Sequence, residues 1–539
     1  MKKGNKPDTL WIVLIVAYVV YAALFIYRTS FVIGGTRYFT LFDDAMISMT
    51  YARNLAHGHG LVWNAGGERV QGYTNLLWTL YMGLIHLIPV AKSKISLLVQ
   101  ATSAGLLLAN LFVVRRLAGT ISGGSRFVSL GAATLTAFYL PLNNWSLQGM
   151  EVGLLTLLVS LALLRSLKMI EGKAFSVWPY VILGVGVLVR LDMTVLLAAV
   201  IGFAAWRDPR TRSRHLAFGL AILGAALAIQ VIFSRVYYGD FFPNTFYQKL
   251  VGYPFIWRLA KGIYAALVFI WRLNLIFFVV PIGLVLARRR NGELLLSAAF
   301  LAQLGYSIYV GGDAWESWGG ANRYVCIVMP AFFILFVAGL EALGASARAY
   351  LERSMPKVRG AALDKYLARS KAALFILGLA SFNAIYGPAA LTEMLLLKQT
   401  LHIDDNQKMV ERALTVDKVT TDRATIAVVW DGAIPYFAER PAVSILGKND
   451  RKVGHEKMRT ASGAAQIVAF YPGHLKWDYA YSIGQLRPDV VVHLWQEPES
   501  AKPYLQFDYV QVKIDGFTLY LRDGSPNILW SRVKALSTG

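Results

Sequence analysis

Hydrophobic positions in this chain come in long unbroken runs, not in the three-and-four spacing of a surface helix or the alternation of a half-buried strand. The first run, Trp11 to Tyr27, follows Lys2, Lys3 and Lys6. It is longer than a signal-peptide core and no small-residue cleavage site follows, which predicts a retained helix with its N-terminus in the cytoplasm. Further runs near 95–114, 127–141, 150–167, 176–190, 191–206, 216–234, 264–287, 294–310, 324–343 and 372–392 approach the length that a ~30 Å hydrocarbon layer requires. The pattern predicts a polytopic α-helical membrane protein with about 11 transmembrane helices, the shorter ones tilted or re-entrant.

Two stretches depart from the pattern. Residues 74–90 look spanning by hydropathy, but Asn75, Thr79, Met82 and His86 recur at helical spacing as a polar stripe. An interfacial helix on the outer leaflet is expected there, within a first outer loop of 28–94. From 393 to 539 the composition turns polar, and strand-like runs at 424–430, 442–446, 489–495 and 517–522 are separated by turn residues. A soluble α/β domain is expected to follow a membrane domain of 1–392, with no internal repeat in either.

Composition agrees: 56% of the 539 residues are hydrophobic and 16% charged, where soluble domains carry roughly a quarter charged. The formal charge of +22 would suggest nucleic acid on a soluble protein. Sorted by loop, it reads instead as topology. Arg115/Arg116/Arg126, Lys168/Lys173, Arg207 to Arg214, Arg288 to Arg290 and the stretch from Arg348 to Lys371 alternate with loops holding Asp43/Asp44, Glu151, Asp192, Asp240 and Asp313. The positive-inside rule puts the basic set in the cytoplasm and the acids outside, provided 74–90 does not cross. The single cysteine, Cys326, excludes an internal disulfide framework and a cysteine-cluster metal site.

The candidate chemistry lies in the outer segments. Asp43 and Asp44 suit a general base or a divalent-metal site, and Asp44 equally suits the start of a capped helix. The same loop concentrates Arg53, Trp63, Tyr73 and Asn75, giving the ring faces and hydrogen-bonding edges that sugars require. His57 and His59 are a weak metal pair without a third imidazole. Glu151 opens a helix, and Arg190 with Asp192 in VRLDM stands at membrane depth, as cavity residues or as a buried ion pair. YYGDFFPNTFYQK contributes Asn244 and Lys249; GGDAWESWGGANRY contributes Asp313, Trp315, Glu316, Trp318 and Arg323. Arg53, Lys249 and Arg323 are outside cations, the kind that a phosphate at the outer leaflet needs.

A first helix followed by an outer loop opening on a double aspartate resembles the GT-C superfamily of integral-membrane glycosyltransferases. FDDAMISMTYARNLAHGHGLVWNAGGERVQGYTNLLW, SLQGMEVG, YYGDFFPNTFYQK, GGDAWESWGGANRY, VWDGAIPYFAERPAVSILGKND and YPGHLKWD resemble more closely the mycobacterial terminal arabinofuranosyltransferases and the related pilin arabinosyltransferase. VRLDM departs from that pattern in lacking a proline between Arg190 and Asp192. The resemblance implies a polyprenyl-phosphate sugar donor, D-arabinofuranose as the sugar, and a glycan or pilin-like protein acceptor at the outer face of a bacterial inner membrane. It implies Asp44 or Asp43 as base, with Arg323, Lys249 and Arg53 facing the phosphate. The tail would hold the acceptor through His474, Asp478 and Asp431, the last equally a packing residue. No other cofactor is expected, and a divalent metal stays open. The alternatives are a hexosyl, aminoarabinosyl or protein O-glycosyl transferase of the same superfamily and, from another class, a lipid or glycan transporter, which would place its polar groups near mid-membrane in repeated halves.

Overall fold

The computed structural model describes residues 8–314, 316, 322–354, 360–400, 402–459 and 469–537; Trp315 and Trp318 lie outside them. After α1 (Thr9–Arg28) come a short hairpin, β1 (Phe31–Ile33) with β2 (Thr36–Tyr38), and two further helices, α2 (Asp43–Ala56) and α3 (Leu76–His86). The bundle continues as α4 (Ile95–Ser122), α5 (Arg126–Ala137), α6 (Leu140–Leu147), α7 (Val152–Gly172), α8 (Trp178–Val189), α9 (Met193–Arg207) and α10 (Arg212–Tyr238). Then follow α11 (Asn244–Leu250), α12 (Phe255–Arg272), α13 (Leu275–Arg288), α14 (Asn291–Val310), α15 (Arg323–Cys326), α16 (Met329–Ser354), α17 (Ala361–Asn383) and α18 (Ala389–Met394).

Among the described residues, α1, α4, α7, α10, α14 and α16 are long and apolar enough to cross a membrane alone. The pair α11 and α12, bent by 89°, would make a seventh. Helices α8, α9 and α13 are apolar but have only 12, 15 and 14 residues, less than the ~20 residues a straight span needs. They are the short members of the apolar runs, whose hydropathy reports apolarity and not where a helix breaks. The protein is a multi-pass helical membrane protein with a small sheet domain at its C-terminal end. From Met329 to Leu340, α16 is wholly buried at the centre of the bundle. Edge-to-face rings of Phe277, Phe336 and Phe382 lock it to α13 and α17.

Helix α3 has 11 residues, roughly 16 Å of rise, half a hydrocarbon layer. Its polar stripe does not face water. Asn75 and Thr79 are buried with Met82, and His86 Nε2 lies 3.0 Å from the Tyr436 hydroxyl. The outward side carries exposed Leu84, with Leu87 and Ile88 just beyond it. An isolated helix offers its polar face to water; here α2 and the start of α7 cover that side, and the tail reaches it only at His86.

In the tail, α19 (Ile403–Val419) precedes β3 (Ile426–Val428), α20 (Ala433–Ala438), β4 (Ala442–Ser444), α21 (Arg451–His455), β5 (Val490–Val491), β6 (Tyr509–Ile514) and β7 (Phe517–Arg522). The sheet order is β4-β3-β5-β7-β6, with β4, β3 and β5 parallel and β7 antiparallel to both neighbours. Strand β3 is buried at every position, as an apolar run within a parallel sheet should be. The four strand-like runs correspond to β3, β4, β5 and β7. Strand β6 was missed, although Asp515-Gly516, both at positive φ, is the strongest short hairpin signal.

The carboxyl ends of β3 and β4, where open α/β sheets place their functional loops, face the N-terminus of α2. Asn64 exchanges two hydrogen bonds with the Ala442 backbone at 2.8 and 2.9 Å, and Lys92 donates to the Phe437 carbonyl. Gly432 lies so close to Asp43 that a Cβ there would overlap the Asp43 carbonyl. Gly432→Ala should therefore lower stability by about 1–3 kcal/mol, read as a lower Tm in detergent. Gly105→Ala, in α4 with open space around it, should be neutral or slightly stabilising.

Candidate active site

Asp43 and Asp44 occupy the first turn of α2, where the helix dipole favours acids. Neighbours on a helix point about 100° apart, so the two carboxylates face different surroundings. Asp44 faces a cavity of about 160 Å³ between the outer helix ends and the tail. Asp43 turns to the other side, where its Oδ1 accepts from the Ala433 N–H at 2.9 Å and its Oδ2 has no partner among the described residues.

Three cations from separate segments gather at Asp44. Arg323 donates to Oδ2 at 2.9 Å, Lys448 donates to Oδ1 at 3.1 Å, and Lys249 stands in the same cavity wall. Arg323 is fixed from behind by Asp313, which accepts from its Nε at 2.9 Å and its Nη2 at 3.2 Å. Gly311 and Gly312, both at positive φ, turn the chain after α14 so that Asp313 can do this. Asn244 does not enter the cavity. Its amide donates to the carbonyls of Gly447 and Asp450 at 2.6 and 2.9 Å, which shapes the loop carrying Lys448. Lys249 makes no hydrogen bond or ion pair among the described residues, so its ammonium remains available.

Burial alone would raise the Asp44 carboxyl, but Lys448, Arg323 and Lys249 outweigh it and hold it well below the usual carboxylate range. Asp43 is more deeply buried than Asp44 and is pushed up to about 6, although Lys448 and the Ala433 N–H pull it back. The two adjacent aspartates thus differ in direction as well as in partners.

A second ionic cluster closes the membrane side. Arg190 grips Asp192 through two bonds of 2.6 and 2.8 Å and donates to Glu151 Oε1 at 2.7 Å. Asn75 donates to Glu151 Oε2 at 2.9 Å. Arg190 and Asp192 are paired with each other and stand in the cavity wall with Tyr73, Asn75 and His474. Burial pushes His474 down to about 3, so it is neutral at physiological pH; it stacks on Tyr471 at 4.2 Å.

The structure brings Asp44, Glu151, Arg190, Asp192, Lys249, Arg323, Tyr73, Asn75 and His474 to one cavity. It places others elsewhere. Arg53 is turned away from the phosphate-type cluster: it donates to the Tyr436 carbonyl at 2.8 Å and pairs with Glu439, because it leaves α2 about two and a half turns after Asp44, on the opposite face. The Trp63 indole donates to the Asp431 carbonyl. Asp478 caps the turn at Tyr481. The Asp431 carboxylate accepts from Asn449 at 2.8 Å and from Ser444, inside the tail. Lys448 is the cavity residue that sequence reasoning missed. It lay in a quoted motif, SILGKND, but in a domain read as soluble and separate. Among the described residues no three His, Cys, Asp or Glu groups, His57 and His59 included, are placed to share a metal ion.

No protein-family model matches the chain, and no match is found among curated proteins. Solved structures do match. ArnT from Cupriavidus metallidurans bound to undecaprenyl phosphate is 15% identical over 96% of this chain and 99% of its own, with a TM-score of 0.54. Its apo state is 16% identical over 96% and 98%, with a TM-score of 0.56. The Archaeoglobus fulgidus oligosaccharyltransferase AglB in complex with an inhibitory peptide and a dolichol-phosphate is 12% identical over 97% of this chain and 75% of its own, at 0.55. At these identities the likeness is one of fold: the chain has the GT-C fold.

Asp431 is pushed by burial up to about 7, against Ser444, Lys448 and Asn449. Its folded pKa is above the ordinary 3.8, so its contribution is fully present below about pH 4 and lost as pH rises to about 7. Tail stability should fall over that window, and Asp431→Asn should flatten the fall, read by thermal unfolding at a series of pH values.

Proposed function

We propose that this protein is a glycosyltransferase that takes a sugar from a polyprenyl-phosphate donor at the outer face of the inner membrane. The observation that carries the proposal is the convergence of Arg323, Lys249 and Lys448 around Asp44 in one cavity, with Lys249 unpaired. Three cations face two carboxylates there, Asp44 and Asp313. A leaving lipid phosphate needs such an excess. The likeness in fold to structures solved with undecaprenyl phosphate and dolichol-phosphate supports the same donor class.

In the proposed reaction an acceptor hydroxyl attacks the anomeric carbon as the bond to the phosphate oxygen breaks. The electron pair leaves on that oxygen, toward Arg323, Lys249 and Lys448, and the hydroxyl proton passes to a first-loop carboxylate. Asp44, held strongly ionised, keeps the cations in register. Asp43, near pKa 6 and with one oxygen unpartnered, is better matched to take a proton at neutral pH. The acids stand at the outer ends of α7, α8 and α9, while Arg207, Arg288 and Arg353 sit at the opposite ends of α9, α13 and α16. We read the basic ends as cytoplasmic and the cavity as extracytoplasmic. Polar groups gathered at one membrane face argue against a transporter. The first-loop and tail motifs favour D-arabinofuranose as the sugar, with a glycan or pilin-like protein as acceptor.

In reconstituted membranes, Asp43→Asn should lower turnover at least ~100-fold while leaving donor affinity intact. Lys249→Ala should raise the donor KM by about tenfold or more. An unchanged rate in Asp43→Asn would remove it as the base. Mass analysis of surface glycan and pilin from cells lacking the protein should show a missing terminal pentose; a missing hexose would overturn the sugar assignment.

A further inference from the structure

A second cavity, of about 290 Å³, lies on the far side of Asp43 from the phosphate-type cluster, between the start of α2 and helix α19 of the tail. Asp43 and Asn406, each at least nine-tenths buried, stand in its wall with Arg412, Lys408, Asp405 and Trp430. Three polar atoms here lack any hydrogen-bond partner among the described residues: Asp43 Oδ2, Asn406 Nδ2 and Arg412 Nε. Leaving such groups unpaired is unfavourable, so their clustering in one cavity points to a ligand that satisfies them. It must offer a donor to Asp43 and acceptors to Asn406 and Arg412. A hydroxyl does both, and several closely spaced hydroxyls on a part-apolar ring match the set, with Met409 and the Trp430 indole supplying apolar surface. Asp405 and Lys408 are exposed at the rim, so the cavity opens to the aqueous side.

We infer that this cavity is a carbohydrate site that receives the acceptor end of a glycan, with the Asp43 carboxylate as its innermost group. The inference rests on the proposed transferase reading. It adds that donor and acceptor approach α2 from opposite sides, Asp44 facing the phosphate and Asp43 the attacking hydroxyl. The tail residues assigned by sequence to the acceptor, His474, Asp478 and Asp431, are not in this wall; Asn406 and Arg412 take that role.

The test uses the full-length protein in nanodiscs, with two probes measured separately. One is undecaprenyl phosphate; the other is a panel of methyl glycosides and short oligomers of arabinofuranose, mannose and N-acetylglucosamine, detected by saturation-transfer NMR. The wild type should bind at least one sugar probe. Asn406→Ala and Arg412→Ala should weaken it tenfold or more while undecaprenyl phosphate binding stays unchanged, and Lys249→Ala should do the reverse. Lys408→Trp, at the exposed rim, fills the mouth without removing a buried bond and should also abolish sugar binding, which guards against loss through misfolding. A wild type that binds none of the sugars, or sugar binding that survives Asn406→Ala and Lys408→Trp, overturns the acceptor site. Failure of the wild type to bind undecaprenyl phosphate instead overturns the donor reading, whatever the sugars do.

Discussion

The Asp44 side chain is four-fifths removed from solvent, and a charge so desolvated persists only if it is paired. Its partners come from three distant parts of the chain: Arg323 just after α14, Lys448 after β4 in the tail, and Lys249 in α11 alongside. Membrane bundle and tail domain therefore cannot separate without exposing or stranding these charges. Breaking one member of such a cluster costs about 3–5 kcal/mol. Much else follows from that requirement: Asp313 behind Arg323, Asn244 shaping the Lys448 loop, and Gly432 allowing the tail to close on α2.

The same constraint separates two neighbouring aspartates into different chemistry. One helical step turns Asp43 away from the cations and against the amide of Ala433. Desolvation then dominates and its proton is held more tightly, while Asp44 is driven the other way. A double aspartate read as a pair of equivalent acids becomes a fixed anion and a titrating group. The Arg190–Asp192–Glu151 cluster shows the complementary case, since its members neutralise one another and give the cavity a rigid floor.

Several features were legible in the sequence because they depend on local or additive properties. Apolar runs marked the membrane bundle. The strands β3, β4, β5 and β7 showed as apolar runs between turns. Apolarity marked α8, α9 and α13 as well but did not report where each of them stops. The site was legible in part. Residues in outer loops near Asp44 were found by chemical type, and nine of them line one cavity. Arg53 and Trp63 had the right chemistry but were turned by helix phase toward the tail backbone.

The sequence by itself determined a helical membrane protein with acids and aromatics on one face and a polar tail after it, since hydropathy and charge act residue by residue. Only the tertiary structure decided that Lys448 joins Asp44, that Asn406 and Arg412 stand beside Asp43, and that the two aspartates titrate apart. Those outcomes depend on distances between segments up to about 400 residues apart in sequence, and on the burial that closing the tail onto α2 creates.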